Sequence, residues 1–444
     1  MADVSRKRGF ALAETQLASF DRSTTARCHV QRPDRYRLLE ALPADARRIT
    51  RGSGVSFVGA SFAHDSVVQE MGAFDRLLEF DSAQGWLTVE AGARIGDVTR
   101  FALSRGWMLP VVPGHPRASI GGCIAADVHG KNPARDGTFR QHVESIELFD
   151  PQAGWMQLGP NEDPDRFAAC FAGFGIPGLM VRARLRLVPA AQAYSLRSIA
   201  VANLIEAADV LRSHANAPLL YGWHDGRAGR FGRGVIRFGL EAKDGATGKH
   251  RTHPDLPESI APWPITAWNR IGISIMNRWI RHRQFAAQQV PTAAALFPLN
   301  EARGYFAGFG KHGMNEAQWL LPHASYAEFV SALEAEVRRL RPRISLIASK
   351  LFEGQPTGFS FDGSGIALAI QMPQPRQREQ AAFIESLTEL AILHGGRPNL
   401  IKDSSLEAAV LPRCFADFDN ARHALRRFDP AHVQESAMTR RLGL

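Results

Sequence analysis

The fold is decided by the stretch Val111-Val-Pro-Gly-His-Pro-Arg-Ala-Ser-Ile-Gly-Gly-Cys-Ile-Ala-Ala-Asp-Val-His-Gly-Lys131. Gly121 and Gly122 lack a Cβ, so a backbone at this point can pass close to a ligand. Their amides, with the Ser119 hydroxyl, are expected to form a concave nest for pyrophosphate oxygens. A run of small residues follows, and then a titratable cluster that begins at Asp127. The segment predicts a flavin dinucleotide lying along it; the alternative is a glycine turn followed by a buried helix of small residues.

The amino-acid composition indicates the broad class of protein. A chain of 444 residues, 45% hydrophobic and 22% charged, is typical of a soluble protein with two or three domains. The net charge of +9 favours anionic partners. No helix-turn-helix, zinc-finger or RNA-binding motif is present, so we expect no nucleic-acid partner. The cysteines are scattered without a CxxC pair, which predicts a reducing compartment and no metal site: Cys28, Cys123, Cys170 and Cys414.

The N-terminus gives little sign of targeting. The apolar part of residues 1–20 is interrupted by Glu14 and Gln16, which makes a poor secretory signal. No stretch approaches the apolar length of a transmembrane helix. We expect a cytoplasmic protein, either free or peripheral on the inner face of the plasma membrane.

A second glycine-rich loop, Arg51-Gly-Ser-Gly-Val-Ser-Phe-Val-Gly59, follows a short predicted strand. A Rossmann dinucleotide site needs G-x-G-x-x-G at the start of a helix. Here Phe57 occupies the third glycine position, and residues 60–65 have no helical apolar period. The loop is therefore predicted to bind phosphate in a non-Rossmann fold.

The hydrophobic pattern predicts alternating strands and helices throughout. Predicted strands lie at 26–30, 47–50, 76–80, 86–92, 108–112, 144–149, 155–158, 179–189, 194–202, 219–224, 230–240, 316–321, 344–352 and 365–371. Predicted helices lie at 34–42, 95–104, 165–170, 204–214, 268–283, 327–340 and 378–394.

The predicted helix at 268–283 places a stripe of Trp268, Ile271, Ile275, Trp279 and His282 among arginines. Such a pattern suits an interfacial helix on an anionic membrane surface. The pattern equally suits a helix whose apolar side faces the core and whose basic side faces solvent. The sequence leaves both interpretations open.

Four motifs together resemble the vanillyl-alcohol oxidase and p-cresol methylhydroxylase superfamily of flavoproteins. They are the loop at 51–59, the strand Trp86-Leu-Thr-Val-Glu-Ala-Gly92, the segment from Pro113-Gly114 to Gly122, and Gly175-Ile-Pro-Gly178. The resemblance implies an α+β fold with a two-part FAD-binding domain of the p-cresol methylhydroxylase type, residues 1–189 and 396–444. It also implies an inserted substrate domain, residues 190–395, built on an antiparallel sheet.

Further motifs are similar to the branch of that superfamily that oxidises the 2′-hydroxyl of polyprenyl-phosphoryl pentoses: Asp127-Val-His-Gly-Lys-Asn132, Lys402-Asp-Ser404, and the ending from Phe428 to Leu442. This likeness implies FAD as cofactor and a sugar-phosphate or lipid-linked sugar as substrate. It also implies an NADH-dependent reductase as partner, which would complete an epimerisation.

The resemblance assigns site residues by position. Those expected to bind FAD are Gly52, Ser53, Gly54, Val55, Ser56, Phe57, Gly59, Gly114, Ser119, Ile120, Gly121, Gly122, Ala126, His129, Met180 and Lys402. Those expected to bind substrate are Lys131, Trp223, Phe309, Gln318 and Lys350.

Two residues are the catalytic candidates. Negative charge builds up near N1 of a flavin during hydride transfer, and Lys402 is the candidate cation; the alternative is a surface lysine paired with Asp403. An imidazole ordinarily titrates near neutral pH, so His129 is the candidate for proton removal or for a hydrogen bond to substrate; the alternative is a structural histidine.

At several positions the sequence departs from the resembling enzymes, and these departures bear on how FAD is attached and on which sugar is bound. Val55 stands where some members carry the histidine that binds FAD covalently, so we expect non-covalent FAD. Phe57 and Phe309 replace tyrosines, and Ala369 replaces a cysteine, which leaves the sugar open. Two other functions remain: a soluble sugar-lactone or polyol oxidase of the same superfamily, and a flavin-binding protein without turnover.

Overall fold

The computed structural model describes residues 9–242, 260–284, 288–298, 302–374 and 378–444, without the side chains of Phe10 and of residues 281–284. The first of three main sheets has four strands in the order β1-β2-β4-β3. These are β1 (Gly9–Ala18), β2 (Thr25–Arg32), β3 (Arg48–Arg51) and β4 (Val67–Glu70). Strand β4 runs parallel to both neighbours, and β1 runs antiparallel to β2. Alternate residues of β2, such as Cys28 and Val30, are buried against Ile49 and Val68.

The second sheet is antiparallel, with the order β5-β6-β10-β8-β9. Its strands are β5 (Leu77–Asp81), β6 (Trp86–Glu90), β8 (Val143–Asp150), β9 (Gly154–Leu158) and β10 (Leu179–Arg186), and the short strands β7 (Trp107–Met108) and β11 (Val188–Pro189) pair separately. The helices of this part are α1 (Ile95–Leu103), α2 (Ile120–Ala125), α3 (Pro133–Asp136) and α4 (Pro164–Cys170). Helix α1 buries Ile95, Val98 and Ala102 in the core of this sheet, as its period requires.

The third sheet has eight antiparallel strands in the order β15-β12-β14-β13-β17-β18-β16-β19. They are β12 (Ala193–Val201), β13 (Leu219–His224), β14 (Gly234–Ala242), β15 (Gln288–Pro291), β16 (Met314–Pro322), β17 (Leu346–Glu353), β18 (Ser364–Pro373) and β19 (Arg397–Pro398). The helices of this part are α5 (Leu204–Ser213), α6 (Arg270–Gln284), α7 (Thr292–Leu296), α8 (Arg303–Ala307), α9 (Tyr326–Leu340) and α10 (Arg378–Leu393).

The two faces of the eight-stranded sheet differ in character. Trp319, Ile347 and Leu368 point to one face and join the largest apolar cluster with α5, α9 and α10. Neighbouring strand positions point to the opposite face because side chains alternate along a strand. That face carries Glu316 opposite Gln371. The candidate site therefore lies on this polar face, because the opposite face is covered by the apolar cluster.

The C-terminal segment returns to the first sheet through α11 (Leu411–Cys414), α12 (Phe418–Arg426) and α13 (Ala437–Leu442). The Arg48 amide donates to the Val433 carbonyl at 2.7 Å, and the Met438 amide donates to the Gly59 carbonyl at 3.0 Å. The predicted α+β class with an antiparallel sheet in the second half is confirmed. The domain limits at 189 and 395 remain a proposal, and β19 of the eight-stranded sheet lies just beyond the second one.

Two local predictions were wrong, and some elements were not predicted at all. Residues 34–42 hold only a 3₁₀ turn, Tyr36–Leu38, because the Tyr36 ring stacks on Phe74 at 5.4 Å and its hydroxyl bonds to Glu90. The strand predicted at 108–112 is reduced to β7, since Pro110 and Pro113 have no amide to donate. Strands β1 and β4 were not anticipated.

The predicted helix at 268–283 is present as α6, with Trp268 just before its start. Trp268 of the predicted stripe is buried in the core, whereas Ile271, Ile275 and Trp279 are exposed, so the part of the stripe on α6 faces away from the core. The side chain of His282 lies outside the described residues. None of the helices in the described ranges has the length and apolarity to cross a membrane.

Candidate active site

A cleft lies where the glycine loops meet the polar face of the eight-stranded sheet. Its empty space is about 1460 Å³, part of it open to solvent. One wall comes from residues 50–57, from 113–126 and from the loop before β10. The other wall includes Phe306, Glu316, Gln371, Ile401 and Lys402.

The first glycine loop is built to approach a ligand closely. None of the backbone amides of residues 52–57 donates to an acceptor in the described part of the protein. A Cβ at Gly52 would stand 1.9 Å from the Ser119 hydroxyl oxygen, and Gly54 has a φ of +65°. The Arg51 guanidinium lies against Gly54 and adds positive charge behind the loop. Free amides beside a buried cation fit the phosphates of FAD.

The segment 119–126 was expected to bind phosphate through its backbone amides, but its amides have partners within the fold. The Gly121 amide donates to the Ala91 carbonyl at 2.7 Å, and the Gly122 amide donates to the Ser119 hydroxyl at 3.2 Å. These amides are thus used within the fold, and the predicted phosphate nest at Gly121 and Gly122 is wrong. The two glycines and Ala126 instead line the cleft with little side-chain volume, which fits a flat ring.

His129 lies next to this wall and is held firmly. Asp127 has a φ of +42°, and its carboxylate accepts from the Arg140 amide at 3.0 Å and from the Ser360 hydroxyl. His129 then pairs with Thr138 in an isolated antiparallel bridge. The rings of Phe352 and Phe361 pack on the imidazole at 5.1 and 5.9 Å between centroids.

The partners of His129 come from the eight-stranded sheet. Lys350 Nζ on β17 lies 3.1 Å from His129 Nδ1, and Gln318 Nε2 on β16 lies 3.4 Å from His129 Nε2. Lys350 also donates to the Gly130 carbonyl at 2.7 Å, and Asn399 donates to Gln318 Oε1 at 2.8 Å. These contacts join the flavin-side segment to the polar face of the sheet.

Burial changes the protonation of this cluster. Desolvation, reinforced by the charge of Lys350, lowers the pKa of His129 well below its ordinary value. Desolvation, with the charges of Lys131 and Lys402, likewise lowers the pKa of Lys350. Desolvation and then Lys402 lower the pKa of Lys131 to about 8. At neutral pH the His129–Lys350 pair therefore holds an unprotonated nitrogen, while Lys131 stays mostly cationic.

Lys402 lies in the cleft rather than on the surface. Its Nζ is 3.2 Å from a Glu316 carboxylate oxygen and 3.7 Å from the centre of the Phe57 ring. Asp403 instead accepts hydrogen bonds from Ser405 and Asn315, so the alternative of a Lys402–Asp403 surface pair is wrong. Lys402 thus places positive charge at the wall of the cleft.

Glu316, Gln371 and Tyr305 were missed by sequence reasoning. Gln371 donates to Glu316, and the Tyr305 hydroxyl donates to Gln371 Oε1 at 2.5 Å. Burial raises the pKa of Tyr305, which keeps it a donor. The signal was present in the sequence: Glu316 and Gln318 are the two polar residues of the strand predicted at 316–321, and because they are two positions apart they share one face.

The structure brings most of the predicted FAD-binding residues to the cleft. Those that line it are Gly52, Ser53, Gly54, Val55, Ser56, Phe57, Gly114, Ser119, Gly121, Gly122, Ala126, Met180 and Lys402. Three do not line it: Ile120 is buried in the core of the second sheet, Gly59 faces Ala437, and His129 lies behind the wall.

The structure places the predicted substrate residues differently from one another. Lys350 and Gln318 contact His129, and Lys131 is near enough for its charge to help lower the pKa of His129. Residues paired on neighbouring strands point to the same face of a sheet. The paired positions run from Trp223 through Ala348 and Ala369 to Gln318, so Trp223 and Gln318 share a face. Phe309 is buried against Trp268 and Tyr305 and does not line the cleft.

Comparison with known proteins defines the class. Residues 38–159 match the FAD binding domain family. The resemblance to flavoproteins of the p-cresol methylhydroxylase type is thereby confirmed. FAD is the cofactor, and the protein is an FAD-dependent oxidoreductase.

Particular relatives extend the likeness beyond this domain. The decaprenylphosphoryl-beta-D-ribose oxidase of Mycolicibacterium smegmatis is 27% identical over 412 residues, which cover 89% of this chain and 89% of the relative. The human Delta(24)-sterol reductase is 30% identical over 121 residues, 27% of this chain and 23% of the relative. The D-arabinono-1,4-lactone oxidase of Eremothecium gossypii is 29% identical over 113 residues, 26% of this chain and 21% of the relative.

Proposed function

We propose that the protein oxidises a secondary hydroxyl of a sugar carried on a lipid-linked phosphate, with a polyprenyl-phosphoryl pentose as the substrate. The observation that carries this proposal is the buried cation Lys131, in the cluster with His129, Lys350 and Gln318 beside the cleft that fits FAD. A neutral alcohol gives no reason to bury a cation next to the reacting group. A phosphate does, because a paired charge offsets the cost of desolvation.

The proposed roles of the residues in this cluster follow from their protonation states. Lys131, mostly cationic at neutral pH, would hold the phosphate, and Gln318 would position the sugar by hydrogen bonding. The His129–Lys350 pair would take up the proton of the hydroxyl, since both groups favour the neutral form. FAD, when bound, supplies the acceptor for the hydride. Lys402 would stabilise the negative charge that hydride transfer places on the bound flavin.

The site residues proposed for FAD are the loop 52–57 for the phosphates and the small-residue wall, Gly121 to Ala126, for the ring. A reductase that transfers a hydride from NADH to the oxidised sugar would complete a 2′-epimerisation. That partner is proposed from the resemblance alone. The same holds for the pentose as against another sugar.

A soluble sugar-lactone or polyol oxidase is the second candidate, because a lactone oxidase shares part of the FAD-binding half. The two differ in their need for phosphate. The lactone oxidase alternative leaves the buried Lys131 without a ligand.

The test is an anaerobic screen that follows the flavin absorbance. We expect short-chain prenyl-phosphoryl pentoses to bleach the flavin, and the unphosphorylated pentose or its lactone to do so far more slowly. Lys131→Met should remove that preference, while Lys311→Met, at an exposed lysine, should leave it unchanged. Equal bleaching by the lactone and the phosphorylated sugar would decide for the second candidate.

A further inference from the structure

Half of the large apolar residues that the described surface exposes lie in one short segment. Between residues 263 and 279, Trp263 is 46% exposed, Ile265 78%, Ile271 73%, Ile275 66% and Trp279 56%. Scattered exposed apolar residues are ordinary, whereas neighbouring ones on one side of a helix mark an interaction surface. We call the three that lie on α6, Ile271, Ile275 and Trp279, the apolar face.

The apolar face is the outer side of a well-anchored helix. Ile271, Ile275 and Trp279 follow one another at intervals of four along α6, which puts them on one side. The opposite side buries Ile273 and Met276 in the cluster around Phe306 and Phe309. The inner side of α6 is thus packed into the fold, whereas Ile271 and Ile275 are 73% and 66% exposed to solvent.

The charges around the apolar face select the kind of partner. Arg270 and Arg278 are exposed on the same helix, and residues 260–284 contain no aspartate or glutamate. Two copies of this face would bring like charges together, which argues against self-association. Aliphatic and tryptophan side chains flanked by arginines suit the headgroup layer of an anionic bilayer.

The position of α6 relative to the cleft adds a second argument. Its inner residues share a cluster with Phe20, Phe57 and Phe306, and these three rings line the cleft. The cluster beneath α6 thus reaches the wall of the candidate site. A substrate held in a bilayer by its lipid would meet the protein on this side.

We propose that the apolar face docks the protein on an anionic lipid bilayer, with Ile271, Ile275 and Trp279 in the headgroup layer. The docking stands on the surface itself. Its use for delivering a lipid-linked substrate rests on the proposed function.

The experiment is co-sedimentation of the FAD-loaded protein with vesicles of phosphatidylcholine, with or without phosphatidylglycerol. We expect binding to the anionic vesicles. The combined variant Ile271→Ser, Ile275→Ser and Trp279→Ser should bind at least tenfold more weakly, since each buried apolar side chain contributes roughly tenfold. A matched variant at exposed residues elsewhere, Leu12→Ser, Ile205→Ser and Leu393→Ser, should bind like the unmodified protein.

Charge gives an independent measurement. Arg270→Gln and Arg278→Gln should each weaken binding to the anionic vesicles by roughly fivefold and leave binding to neutral vesicles unchanged. A polarity-sensitive dye on Ile275→Cys should shift to the blue on anionic vesicles, and the same dye on Leu393→Cys should not. The dye measurement decides the question even if the triple variant fails to fold.

The proposal is overturned if the protein ignores anionic vesicles, or if both triple variants lose binding equally. It is also overturned if the apolar-face variant changes only the oligomeric state in light scattering, which would make the face a contact between copies. Flavin bleaching by a substrate in detergent micelles separates the two proposals. Vesicle binding without any bleaching would leave the docking intact and refute the proposed function, and bleaching without vesicle binding would do the reverse.

Discussion

Lys350 Nζ lies 3.1 Å from His129 Nδ1, although 221 positions separate the two residues in the chain. The eight-stranded sheet supplies the lysine, and the segment beside the cleft supplies the histidine. Desolvation lowers the pKa of both groups, reinforced for His129 by the charge of Lys350 and for Lys350 by the charges of Lys131 and Lys402. A pair of this kind can accept a proton at neutral pH, and this contact therefore underlies the proposed chemistry.

His129→Gln should slow the limiting rate of anaerobic flavin reduction by roughly a hundredfold to ten-thousandfold, the usual range for a lost acid–base group. FAD occupancy should stay full, because His129 does not line the cleft. Stopped-flow absorbance at saturating substrate measures this rate. The exposed His423→Gln serves as the control, and a loss below about threefold in His129→Gln would return His129 to a structural role.

Lys402→Ala should slow the same limiting rate by roughly a hundredfold to a thousandfold, about 2.7–4 kcal/mol, because the lost cation acts mainly in the transition state. Glu316, which is buried, would lose its cation, so Lys402→Ala is compared with and without Glu316→Gln. The exposed Lys311→Ala is the matched control. Full-rate reduction in the double variant would refute the electrostatic role.

The affinity for a phosphorylated substrate should fall as the pH rises through about 8, the lowered pKa of Lys131. The sign follows from the cation: phosphate binds the protonated lysine, and above this pH the free enzyme has lost that proton. The pH profile of kcat/KM measures the effect. Lys131→Met should lower the plateau and remove the break near pH 8, and an unchanged break in this variant would assign the titration to another group.

Gly52→Ala should weaken FAD binding at least tenfold, because its Cβ would stand 1.9 Å from the Ser119 hydroxyl oxygen and displace the wall of the phosphate loop. Gly72→Ala is the control, since a Cβ there meets nothing within 4 Å. Titration of the apoprotein with FAD, followed by flavin fluorescence, gives both affinities. Equal affinity in the two variants would show that residues 52–57 are not the phosphate loop.

The flavin should leave the protein on acid or heat treatment. The reason is Val55, which lines the cleft at the position where a histidine would be needed to attach FAD covalently through this loop. Burial also raises the pKa of the Cys123 thiol in the cleft wall, which disfavours the reactive thiolate. Flavin fluorescence that remains on the polypeptide in a denaturing gel would contradict this expectation.

Much of the fold could be read from local patterns. Glycine spacing in residues 51–59 and 111–122 identified the cofactor class, because a close approach of backbone to ligand demands missing Cβ atoms wherever the chain folds. Helices α1, α5, α9 and α10 were found from their period, since burial of one side requires it. The 3₁₀ turn at Tyr36–Leu38 was missed because its ring and hydroxyl contacts reach residues distant in the chain.

The chemistry of the site was decided by tertiary structure alone. The sequence named His129, Lys131, Lys350 and Lys402 as separate candidates, but a protonation state depends on burial and on neighbouring charge, which no local pattern contains. The partner of Lys402 proved to be Glu316 rather than the adjacent Asp403. Likewise, the sequence showed that α6 has an apolar stripe, and only the packing of Ile273 and Met276 against Phe306 determined that the stripe faces outward. Residue type and spacing are local properties, whereas solvent exposure and the electrostatic field at a side chain are set by what the rest of the chain places around it.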